Sequence, residues 1–79
     1  MLNQVILIGR LVKKPELKES DKKVSYIKAT IAVQSDFKNK EGNYDTEFFE
    51  FTAFGKIAEN TARYCEKGSL LNIVGTLNN

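Results

Sequence analysis

Histidine and tryptophan are absent from the 79-residue chain, and cysteine and proline occur once each, as Cys65 and Pro15. Without histidine and with a single cysteine there is no Cys/His zinc constellation, and no internal disulfide can form. Cys65 is most simply a small buried apolar residue on a helix. No nucleophile has a plausible base, no glycine-rich phosphate loop occurs and metal-ligating residue types do not cluster, so neither an enzyme nor a cofactor is expected. Glu47 and Glu50 differ in parity along a strand and point to opposite faces, which removes them as an acid/base pair. Long apolar runs are missing too. None approaches 18 residues, and the first ten residues lack the basic, apolar and small-residue succession of a signal peptide. A cytoplasmic location without membrane contact is the expectation.

There is no Pro/Gly/Ser-rich linker and no internal repeat, so residues 1–79 are read as one domain. That length is near the size at which a single core is only marginally sufficient. Net charge is +2, too little to argue for a nucleic-acid partner by itself. Its distribution is uneven. Up to Lys40 nine Lys/Arg face four acids, a balance of +5, and from Glu41 onward three face six, a balance of −3. Such asymmetry can give a basic stripe on a nearly neutral protein.

The densest signal is Asp45 to Gly55, DTEFFEFTAFG. A two-residue period puts Thr46, Phe48, Glu50, Thr52 and Phe54 on one face and Glu47, Phe49, Phe51 and Ala53 on the other. The second face suits a core. On the first, Phe48 and Phe54 sit among residues that prefer water, about 20 Å apart along the strand. Two arrangements satisfy that pattern: both faces buried, with these rings in a core, or rings left open as a platform on which unpaired bases stack.

In chain order, Leu2 to Leu11 reads as a first strand buried on both faces, with a kink or bulge at Gly9. Val12 to Lys23, around Pro15, reads as a turn or hairpin loop. Val24 to Ser35 alternates, with Ser25, Ile27, Ala29, Ile31 and Val33 expected on the core side. Asp36 to Asp45 is a loop turning at Glu41-Gly42-Asn43, and it sets Phe37 beside Lys38 and Lys40. A phenylalanine amid lysines is a second, weaker sign of a surface that stacks bases and contacts phosphates. Lys56 to Lys67 predicts a short amphipathic helix with Ile57, Ala58, Thr61, Ala62 and Cys65 on one side and Gly68 as its left-handed cap. Ser69 to Leu77 predicts a fourth strand. The order strand, strand, strand, helix, strand is the opening part of the five-stranded OB-fold.

With these blocks in place the chain resembles the bacterial single-stranded DNA-binding proteins along its whole length. The carrying motifs are MLNQVILIGRLVKKPEL, TIAVQSDFKNKEG and DTEFFEFTAFGKIAENTARYCEKGSLLNIVGTL. The resemblance implies an all-β OB-fold barrel that binds single-stranded DNA without sequence preference, in replication, recombination and repair, at the nucleoid. It puts the stacking aromatics at Phe37, Phe48 and Phe54. Phosphate-approaching positions match Lys40, Lys56 and Lys67, with Arg10 at a position often basic in the family. Lys28 and Lys38 join them as basic residues of the proposed face. The chain departs from the family in four ways, one being that Ile27 and Ala29 exchange the usual small and large core residues of the second strand. Tryptophan is often used where Phe37 and Phe48 stand, which implies weaker stacking per site. Glu50 puts an acid on the binding face. The pattern has no counterpart of the long fourth-to-fifth strand hairpin, the fifth strand or the acidic partner-recruiting tail.

A barrel without its fifth strand is expected to be open or completed by a neighbour. This implies an obligate homo-oligomer, dimer or tetramer, and the resemblance to the family puts the pairing edge along Val5 to Ile8. The alternative function is an OB module acting mainly in protein or oligomer contacts, which Glu50 and the modest net charge favour.

Overall fold

The computed structural model describes residues 4–76. The expected strand ends at Leu2 and Leu77 lie outside the described residues. Five strands and one helix follow in the order β1 (Val5–Leu11), β2 (Lys18–Glu19), β3 (Ser25–Lys38), β4 (Tyr44–Phe54), α1 (Gly55–Tyr64) and β5 (Leu70–Gly75). All strand pairs are antiparallel, in an open sheet of order β2-β3-β1-β5 with β4 along the other edge of β3. Among the described residues the all-β architecture with a helix between β4 and β5 is therefore present as an open sheet.

Strand alternation divides the sheet cleanly. Odd-numbered residues face inward: Ile27 is buried, as are Leu11, Ala29 and Ile31, and Leu7, Val33, Phe49, Phe51, Leu71 and Ile73 pack partly buried against the cluster of the last three. Helix α1 lies over the β3 and β4 part of this face and buries Ala58 completely. Ala58, Thr61, Ala62 and Cys65 recur at helical spacing and form the inward stripe, each at least half-buried. Ile57 is about 100° around the helix from Ala58 and borders that stripe on the Thr61 side. It is 70% exposed, against the expectation that it faced the core.

Several sequence expectations are corrected. The first strand is not buried on both faces, because Ile6 and Ile8 are 63% and 56% exposed. Gly9 makes no bulge against β5, since that pairing runs unbroken from Val5↔Gly75 to Arg10↔Leu70, while pairing with β3 covers only Arg10 and Leu11. The glycine is needed for close approach instead: a Cβ there would stand 2.5 Å from the Ala32 carbonyl oxygen of β3. The connection Val12–Lys23 is not all loop, because β2 pairs with β3 as Lys18↔Tyr26 and Glu19↔Ser25. Phe37 is not in a loop but in the last turnward residues of β3.

The helix ends at Tyr64, earlier than expected, and Gly68 is not its cap. Cys65 is half-buried just past the helix, with its N–H donating to the Thr61 carbonyl and its own backbone extended. Gly68, at φ +89°, is the third residue of the turn Glu66–Ser69, closed by Ser69 N–H donating to the Glu66 carbonyl. That is the position of a type II turn that requires positive φ. The open helix end is covered by Lys14, whose Nζ donates to the Ala62 and Cys65 carbonyls and meets Glu66 at 3.2 Å. A cation there complements the negative end of the helix dipole.

Candidate nucleic-acid interface

Even-numbered residues make up the outer face of the sheet. On β4 they are Tyr44, Thr46, Phe48, Glu50, Thr52 and Phe54, all exposed, with Phe48 at 66% and Phe54 at 63%. The core arrangement for these two rings is thereby ruled out. Register extends the face sideways, because directly paired residues of antiparallel strands share a side. One row crosses four strands as Leu70, Arg10, Ala32 and Phe48. A second row, six residues further along β4, crosses three strands as Lys18, Tyr26 and Phe54. Between them lie the pairs Thr30↔Glu50 and Lys28↔Thr52. The fold thus brings Arg10, Lys28, Phe48 and Phe54 onto one outer face, with a ring at each end of a span of about 20 Å.

The remaining expected residues are spread around this face. Lys38 pairs with Tyr44 beyond a register shift that starts at Gln34, and its Nζ lies 5.8 Å from the Tyr44 ring centroid. Phe37 falls inside that shift and is 81% exposed. Lys40 is in the turn that follows. Asn39 builds that turn: its Oδ1 accepts from the Glu41 and Asn43 N–H groups, and its Nδ2 donates to Asp45. Its backbone exchanges hydrogen bonds with Asn43 and Gly42. Phe37, Lys38 and Lys40 therefore belong to the tip of a long, ordered β3–β4 hairpin rather than to the flat of the sheet.

Lys56 leaves the sheet for the first turn of α1, and Lys67 is exposed in the turn before β5. Arg10 is held to that same turn by Nη1 donating to the Gly68 carbonyl at 2.9 Å. One guanidinium nitrogen is thus engaged, and the fork keeps further donors for a phosphate.

Sequence reasoning overlooked two residues of this face. Tyr26 is half-buried, with its ring centroid 6.4 Å from that of Phe54 and the planes 39° apart. Its even parity in the Val24–Ser35 pattern, shared with Lys28, was the available signal. Lys18 had none, because a two-residue strand inside a charged stretch carries no period. Among the described residues no group of three or more His/Cys/Asp/Glu could hold a metal ion. No helix among them is long and apolar enough to cross a membrane.

The model of the single-strand binding protein family matches residues 2–79. Single-stranded DNA-binding protein B of Bacillus subtilis is 42% identical over 77 residues, covering 98% of this chain and 68% of the relative. Single-stranded DNA-binding protein 2 of Streptococcus agalactiae serotype V is also 42% identical over 77 residues, with 59% of the relative covered. For single-stranded DNA-binding protein 1 of Staphylococcus aureus strain MSSA476 the identity is 40%, and the chain spans 49% of the relative's length. The chain thus corresponds to between about half and two thirds of these proteins, and it belongs to the single-strand binding protein family.

Proposed function

We propose that this chain binds single-stranded DNA without sequence preference and without chemistry, as a single OB-type domain over residues 1–79, in the service of replication, recombination and repair. Phe37, Phe48 and Phe54 stack on bases, while Arg10, Lys28, Lys38, Lys40, Lys56 and Lys67 meet phosphates. The observation that carries the reading is the exposure of Phe48 and Phe54 beside Thr46, Glu50 and Thr52 on the outer side of β4. Leaving two large rings in water costs hydrophobic free energy that folding alone does not explain. Names of the family relatives support the same polymer.

Titration with labelled oligo-dT at low and moderate salt tests it. Affinity is expected to fall with a log-log slope of about −0.7 for each phosphate neutralised. No binding at low salt sinks the proposal, and a flat salt dependence removes the lysines from it.

Self-association belongs to the same proposal, as a homo-oligomer, dimer or tetramer. It is supported by a second outer patch in which Ile6 pairs with Val74, Arg10 with Leu70, and Ile8 lies between, the four apolar side chains all more than half exposed. The patch, together with Glu50, also favours the second reading, a module working mainly through protein contacts. In that case self-association persists while oligo-dT is ignored.

A further inference from the structure

We propose that Lys18 and Tyr26 form, with Phe54, a further nucleotide-contacting row at the β2 end of the outer face; the inference rests on the DNA-binding reading above. Register puts Lys18, Tyr26 and Phe54 directly opposite one another on three adjacent strands, so their side chains leave the sheet on the same side. At about 4.8 Å per strand the row is about 10 Å wide, and it runs across the strands. Chemically it is a cation followed by two rings, the pairing that a backbone phosphate and its neighbouring bases match.

Tyr26 is not a core residue. It is only half-buried, and its neighbours on the same face of β3 are Lys28 and Thr30. Its ring touches Phe54 with planes 39° apart rather than stacked face to face, so neither ring is used up in covering the other. A base placed on Phe54 therefore meets Tyr26 as its lateral neighbour. Lys18 is exposed and takes no part in a salt bridge or side-chain hydrogen bond among the described residues, unlike Lys14, which is committed to the helix end. No acidic side chain shares the row, in contrast to Glu50 in the middle of the face.

Because tryptophan is absent, tyrosine emission reports directly on the row. A chain carrying Tyr44→Phe and Tyr64→Phe keeps Tyr26 as its one tyrosine. Addition of oligo-dT is expected to quench that emission at the same oligonucleotide concentration that saturates binding by an independent readout, anisotropy of the labelled DNA. In the otherwise unchanged chain, Tyr26→Leu keeps apolar bulk but loses the ring and should weaken binding about 5- to 150-fold. Tyr26→Phe should bind like the parent. Lys18→Gln should make the log-log salt slope shallower by about 0.7. Thermal melting of each variant identifies any loss due to unfolding, and the emission measurement needs no change at Tyr26. Full DNA binding with unchanged Tyr26 emission and parent-like affinity in Tyr26→Leu overturns the row while leaving the DNA-binding reading intact. Failure of the parent chain to bind oligo-dT overturns both.

Discussion

At the scale of single residues, side-chain parity decides what each aromatic does. Phe49 and Phe51 are odd-numbered and pack against the core cluster; Phe48 and Phe54 are even-numbered and open to solvent. Replacing Phe48 or Phe54 by alanine is therefore expected to weaken oligo-dT binding by about 1 to 3 kcal/mol each while leaving the melting temperature nearly unchanged. A Phe54→Ala chain that binds oligo-dT like the parent would remove that ring from the interface. Glu50 sits opposite Thr30 in the middle of the proposed face, with no cationic partner among the described residues. Glu50→Lys reverses a charge facing the polyanion, so it should tighten binding and steepen the salt dependence. Unchanged affinity in Glu50→Lys means that the DNA runs elsewhere.

Among the elements, the β3–β4 hairpin depends most visibly on one side chain. Asn39 gathers the Glu41 and Asn43 N–H groups and Asp45 around its amide, and Gly42 takes φ +83° to complete the turn. Asn and Asp favour such turns because the short side chain mimics a backbone segment. Asn39→Ala removes three side-chain hydrogen bonds at an exposed site, worth about 1 kcal/mol each at most. Its expected effects are faster amide exchange between residues 36 and 45, little change in overall melting, and weaker DNA binding through loss of an ordered Phe37, Lys38 and Lys40. Protection factors equal to those of the parent would show that the strands alone hold the tip.

For the whole molecule, shape bears on assembly. The chain measures 48 × 34 × 16 Å with a radius of gyration of 14.2 Å, whereas a compact chain of this length has about 12 Å. A slab of that kind buries few side chains completely, and Ile27 and Ile31 are its largest fully buried ones. Beyond Gly9 towards Val5, β1 pairs with β5 on one edge, and among the described residues no strand pairs its other edge. An open β edge next to the exposed Ile6, Ile8, Leu70 and Val74 is a surface that a second copy can cover. Sedimentation at micromolar concentration is expected to give a dimer or tetramer, and Ile6→Lys with Ile8→Lys should shift it towards monomer. A stable, well-folded monomer of the unmodified chain rules out this assembly.

Period two in the segments Val24–Ser35 and Asp45–Gly55 was enough to assign inner and outer residues of β3 and β4, because alternation is a local property of an extended backbone. Period 3.6 located α1, and the motifs located the family. What the chain could not reveal was the consequence of pairing. The dense apolar run of β1 carries no polar residue between Val5 and Ile8 to mark a wet side, and only its register with β5 shows that Ile6 and Ile8 face outward. β2 is too short to have a period and exists because Lys18 and Glu19 find the free edge of β3. Gly68 looks like a helix cap by spacing, yet the chain turns extended at Cys65, and Lys14, 48 residues before Ala62, meets the carbonyls left there. The row Lys18–Tyr26–Phe54 unites residues 36 positions apart. Such neighbours are decided by hydrogen-bond register between distant strands, a tertiary quantity that no local pattern encodes.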